Sequence, residues 1–196
     1  MRQAKSKRAT AEALRRAGRF ACLDFVNSAW TDWSGDGEAA DRLGSPEWWS
    51  AFLTRWGLEG HGLTAPTGGR LNDLRALRRM MRNAIEKGRM PKGADLDWMN
   101  TRLAASPQRW TISNGKPGVV ATRTGWPSVI ALLILSFGQL FGQTDLSRLK
   151  KCANPDCSYV FYDVSTNRSR RWCFSNVCGN LIHVRDYRSR VMSIQP

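Results

Sequence analysis

Residues 152–180 read CANPDCSYVFYDVSTNRSRRWCFSNVCGN, and the four cysteines in this stretch decide the fold of the last quarter of the chain. Cys152 and Cys157 form one Cys-x4-Cys pair, Cys173 and Cys178 a second, and fifteen residues lie between the pairs. Two short chelating loops, joined by a connector long enough to fold back, suit a single tetrahedral Zn²⁺. Four thiolates leave no coordination position for water or substrate, so the expected ion is structural and its module presents a surface. Disulfides are the competing reading, and they need an oxidising compartment. The amino-terminal residues are basic at first, but their apolar stretch is short and broken by Asp24, unlike a secretory signal. A fifth cysteine, Cys22, lies among Phe20, Leu23, Phe25 and Val26 and reads as core.

Working outward from the cysteines, Cys152–Cys157 is a knuckle around Asn154 and Pro155. Residues 159–163 alternate as a strand does, and Val164–Arg171 is a polar turn. Ser175 or Asn176 is a candidate cap for a last helix that carries Cys178 in its first turn. Knuckle, hairpin and helix together describe a treble-clef-like zinc finger. At 100° per residue, Asn176, Asn180, His183, Tyr187 and Arg190 share a polar stripe on that helix. Val177, Leu181, Val184 and Val191 make the neighbouring apolar stripe, expected to pack.

The chain has 196 residues and a net charge of +14. Residues 1–19 carry +6, residues 20–147 carry +2, and residues 148–196 carry +6. Charge confined to the two ends, one of them organised by metal, points to a polyanionic partner. The most apolar run, around Val129–Phe141, is too short and too interrupted to span a bilayer and reads as a buried helix.

Upstream, residues 1–19 form a basic flexible arm and residues 20–144 a mostly helical domain, with the finger module at residues 145–196. Residues 20–30 are apolar and ambiguous between helix and strand, and residues 30–44 read as a loop. Ser45-Pro46 opens a helix through Trp56 that Gly57 stops. Leu71, Leu74, Leu77, Met81 and Ile85 repeat at helical spacing up to Gly88. A short helix follows from about Asp95 to Ala105. Asn114-Gly115 signals a β-hairpin, with Pro117 expected to lengthen its loop. Pro127 opens the long apolar helix and Gly142 closes it. The fold class is therefore mainly α with a small β-hairpin. Of the nine tryptophans, those between Trp30 and Trp56 are read as core, with at least one of Trp48, Trp49 and Trp56 partly exposed.

Phe161, Asp163, Ser165, Asn167, the run Arg170-Arg171-Trp172-Cys173 and Cys178-Gly179-Asn180 resemble the CGNR zinc-finger family. The stretch from Leu23-Asp24-Phe25-Val26-Asn27-Ser28 to Gly88 resembles the ABATE domain that precedes that finger. The resemblance implies a bacterial, cytoplasmic transcription regulator whose zinc ligands are Cys152, Cys157, Cys173 and Cys178. This chain has Leu181 where the family name expects Arg, and His183 where Lys is usual.

The leading function is a DNA-binding regulator. Lys150, Lys151, Arg168, Arg170, Arg171, Arg185, Arg188 and Arg190 are candidates for phosphate, and Asn180 and His183 for base edges. Its middle domain would sense a small-molecule effector or form a homodimer. An RNA-binding or ribosome-associated protein and a protein–protein adaptor are the alternatives. An enzyme is not expected. The two histidines have no metal-ligand pattern around them, and no phosphate loop, nucleophile elbow or carboxylate pair appears. Asp24 with Asn27 could mark a pocket, though a helix cap or local turn explains both.

Overall fold

The computed structural model describes residues 20–31, 39–59, 62–122 and 124–192. The basic arm at residues 1–19 lies outside them. In chain order the elements are α1 (Ala21–Val26), β1 (Ala29–Thr31), β2 (Ala39–Asp41), α2 (Pro46–Arg55), α3 (Gly68–Lys87) and α4 (Ala94–Ala104). Then come β3 (Gln108–Ser113), β4 (Lys116–Ala121), α5 (Trp126–Gly142), β5 (Leu149–Lys151), β6 (Val160–Tyr162) and α6 (Asn180–Met192). Among the described residues the strands form three separate antiparallel pairs, β1–β2, β3–β4 and β5–β6. The chain divides into two compact units. One comprises residues up to Val26 and Arg42–Leu146; the other comprises Asn27–Asp41 and the residues from Ser147 onward.

The first unit is helical. Its centre is α1, six residues that are all buried. A helix this short is not stable by propensity, so its ends must be held by neighbours. The Cys22 amide donates to Ser136 Oγ of α5 at 3.2 Å, and Arg82 Nη2 of α3 donates to the Val26 carbonyl at 3.0 Å. A cation at the carboxyl end also suits the helix dipole. Around α1, the fully buried Leu74, Leu77 and Met81 of α3 and Leu133 and Phe137 of α5 complete the core. Cys22 is buried within it, and burial pushes its thiol up to about 12.

The helix signals behave as their chemistry requires. Ser45 Oγ accepts from the Trp48 amide at 3.2 Å, and Pro46 occupies the first turn of α2. Gly88 ends α3 in the left-handed conformation at φ 62°. Trp48 and Trp49 are buried and Trp56 is half-buried. The Trp49 ring meets Trp126 edge to face at 4.7 Å, and its Nε1 donates to the Leu43 carbonyl at 2.7 Å.

Three local expectations are corrected. Residues 30–44 contain a strand pair, with Ala29 opposite Asp41. The β3–β4 turn is not lengthened by Pro117. Asn114 and Gly115, at φ 52° and 71°, form a two-residue turn with Ser113 opposite Lys116. Pro117 pairs with Ile112 at the next position, which in this register exchanges no ladder hydrogen bond, so its missing N–H costs nothing. The last helix begins with a wide turn over Ser175–Gly179 in which the Gly179 amide bonds the Phe174 carbonyl, and no side chain caps it.

Asp24 lies inside α1 and is 2% exposed. Arg55 Nε and Trp56 Nε1 donate to its Oδ2 at 2.9 and 3.1 Å, while Oδ1 has no partner. Burial raises its pKa from 3.8 to about 7, against the opposing pull of Arg55 and Trp56. A folded-state pKa above the unfolded one favours folding fully below about 4, and the benefit is lost as pH rises to about 7. Asp24→Asn should therefore flatten the profile. Urea denaturation followed by tryptophan fluorescence from pH 5 to 8 should show wild-type stability falling relative to the variant and levelling off above 7. The expected span is on the order of a few kcal/mol.

Candidate metal centre and the surface around it

In the second unit the four cysteines converge. Their sulfurs all lie within 4.8 Å of one another and all four residues are buried. Cys157 and Cys173 sulfurs are 3.8 Å apart, and those of Cys173 and Cys178 are 3.3 Å apart. A tetrahedral zinc with Zn–S bonds of about 2.3 Å needs sulfur edges of about 3.8 Å, so the donor set fits that ion. The neighbouring sulfurs, and then burial, push the thiols of Cys157 and Cys173 upward. A divalent cation reverses this by taking four thiolates, and binding therefore releases protons.

Two polar groups orient the ligands. The Cys173 amide donates to Cys152 Sγ at 3.4 Å, and Asn154 Nδ2 points to Cys178 Sγ at 3.7 Å. Asn154 is fully buried and its Oδ1 accepts from the Asp156 amide at 3.2 Å, which closes the knuckle. Such outer partners fix ligand direction. Asn154 was visible in the sequence only as a turn residue. The Cys152 amide bonds the Tyr159 carbonyl at 2.9 Å, so the first ligand continues the β5–β6 ladder.

The loop between the cysteine pairs is built on Asp163, which is fully buried. Its Oδ2 accepts from Lys150 Nζ at 2.7 Å and from the Arg170 amide at 3.1 Å. Its Oδ1 accepts from the Ser165 amide at 2.9 Å and the Ser165 hydroxyl at 2.6 Å. Burial opposes charge there, but these donors hold the carboxyl well below the usual carboxylate range. Lys150 also reaches the Arg168 and Arg170 carbonyls. Arg170 donates to the Trp172 and Cys173 carbonyls and stacks over Phe161 at 4.2 Å. Lys150 and Arg170 thus serve the finger's own loop. Arg168 donates to Ser147 Oγ at 2.9 Å, and Arg185 pairs with Asp156 at 2.6 Å.

Lys151, Arg171, Arg188 and Arg190 are exposed, as are Asn180 and His183. Arg171 lies over Trp172 at 5.2 Å, and Trp172 meets His183 edge to face at 6.4 Å. Gly179 is buried against the same ring, where an added Cβ would stand 3.2 Å from Trp172 Cδ1. The close approach accounts for glycine at this position.

The apolar stripe of α6 packs only in part, at its amino end. No residue of this helix is buried, and Val184, Tyr187 and Val191 are 48%, 65% and 43% exposed. Leu181 and Ile182 are half-buried. The wide turn before α6 shifts Asn176 and Val177 off the regular 100° spacing, so the stripes drawn through them do not hold.

Asn27 contributes to this unit from far away in sequence. Its Nδ2 donates to the Val160 carbonyl at 2.8 Å and its Oδ1 accepts from the Val160 amide at 3.0 Å. One amide side chain here does the work of a neighbouring strand for β6. Trp30 adds an edge-to-face contact with Tyr159 at 6.3 Å. Asn27 is thus not explained as a cap or a local turn, and Asp24 is committed to Arg55 and Trp56.

Removing one ligand should unmake this unit, because structural zinc supplies on the order of 10 kcal/mol to small fingers. Cys157→Ser should bind less than one zinc per chain and lose amide protection over residues 148–179, while α5 keeps its own. Hydrogen exchange with metal analysis reads both. Full metal content with a protected finger would show the ligand set to be wrong.

A family model for the CGNR zinc finger matches residues 148–191. A second, ABATE, described as "Putative stress-induced transcription regulator", matches residues 20–143. No curated relative matches the chain. Among the described residues no helix is long and apolar enough to cross a membrane. The ABATE match covers well over half of the 196 residues, and the finger match encloses all four sulfurs. The chain therefore belongs to the ABATE family and carries a CGNR zinc finger that holds one structural zinc.

Proposed function

We propose that the finger binds duplex DNA with α6 in the major groove, and that the chain regulates transcription by binding alone, without a catalytic step. The observation that carries this reading is the exposed face of α6. Asn180, Val184, Tyr187 and Val191 fall within about 30° of one line at 100° per residue, with His183 beside them. An exposed helix of 13 residues with this face suits a groove about 12 Å wide. Asn180 is the residue for an adenine edge, and Val184 offers an apolar contact for a thymine methyl. Lys151, Arg171 and Arg188, which the loop does not occupy, are the phosphate contacts. Such a regulator works in the bacterial cytoplasm, where thiols stay reduced and open to zinc.

Zinc-loaded protein should enrich a motif from a random duplex pool, and Asn180→Ala should lose that motif while retaining non-specific binding. Arg171→Ala and Arg188→Ala should each reduce the slope of log K against log salt by about 1. A wild-type slope near zero rejects the reading, as does preference for structured RNA over duplex of equal length.

A further inference from the structure

In the helical unit, α4, the start of β3 and the carboxyl half of α5 enclose a groove of about 1010 Å³. Its volume stands at the upper end for small-molecule pockets, about 300–1,000 Å³. Leu96, Leu103 and Leu135 present its apolar surface over a floor of buried Met99, Ile134 and Phe137, and Trp110, 81% exposed, stands at its edge. Gly138 and Gly142 of α5 lie along it, and a Cβ added at either would meet nothing within 4 Å. The space over the helix is therefore open at both glycines.

Among the described residues, one cation faces this apolar surface. Arg109 lines the groove from β3, and its guanidinium makes no hydrogen bond or ion pair among the described residues. The remaining polar side chains of the described lining, among them Asn100, Ser106, Gln139 and Gln143, are uncharged. A second copy of the chain covering the groove with apolar residues would bury Arg109 without a counter-charge, which is costly. A phosphate-rich surface would need several cations, and the groove supplies one. A single carboxylate on a long apolar body satisfies both the charge and the area.

We infer that this groove binds an organic monocarboxylic acid with an extended apolar chain. The carboxylate sits on Arg109 in two parallel hydrogen bonds, and the chain lies over Leu96, Leu103 and Leu135. Nothing in the inference depends on the finger or on DNA.

The test is calorimetric titration of the full zinc-loaded chain with decanoate and with decanol, its neutral twin. Decanoate should bind more tightly than decanol. Arg109→Gln should weaken decanoate by roughly tenfold or more and leave decanol unchanged. Gly138→Leu, which fills open space on a helix and suits helical propensity, should abolish both without lowering thermal stability. Equal binding of acid and alcohol, indifference to Arg109→Gln, or binding that survives Gly138→Leu overturns the inference. So does absence of binding up to the solubility of decanoate. A chain dimer that Gly138→Leu dissociates would overturn it as well, by giving the groove to a second copy.

Discussion

Everything in the finger hangs on four sulfurs that cannot share one space as anions without a cation between them. The 44 residues of the finger, with strands of three residues, bury too little apolar surface to fold unaided. Zinc converts the electrostatic liability into the fold's main cross-link. It joins the knuckle at Cys152–Cys157 to the wide turn at Cys173–Cys178, and the rest is placed by that junction. The turn sets where α6 begins, the knuckle sets where β5 ends, and the loop between them is left for Asp163 to organise. A buried carboxylate with four donors is a demanding arrangement, yet it lets a polar loop hold one shape without a core of its own.

The same loop shows why net charge overstates a binding surface. The finger region carries nine basic residues against three acids, and counting stops there. Arg148 bonds the Asp163 and Ser165 carbonyls, Lys150 bonds Asp163, and Arg170 bonds Trp172 and Cys173. These cations bond backbone carbonyls and one carboxylate inside the fold. What remains for an anion is the subset that faces outward, chiefly Lys151, Arg171 and Arg188.

Much of this was legible from residue order because the deciding interactions are local. Ser45-Pro46 and the left-handed Gly88 define helix ends by chemistry within a few residues, and the cysteine spacing defines a ligand set. The legible part stopped where partners are distant or where backbone geometry is unusual. Pro117 looked like an obstacle to a tight turn until the register put it at a position that exchanges no hydrogen bond. The apolar stripe of α6 assumed a regular helix from Asn176, and the wide turn over Ser175–Gly179 breaks that phase. Asn154 as a sulfur donor and Asn27 as a substitute strand carry no local signature at all, because each depends on what the fold brings beside it.

Asn27 and Val160 are 133 residues apart in the chain. On a ribosome, residues 27–41 emerge long before the strand they complete, and 105 residues of helical unit must follow first. Until then Asn27 has no strand to complete, and the finger, made last, matures only when it meets a piece of chain synthesised near the start. A fragment cut to residues 148–191 would retain every zinc ligand and still expose the amide and carbonyl of Val160 as a raw sheet edge, open to pairing with another copy. The order of manufacture, and not the metal alone, thus decides when the finger becomes safe in solution.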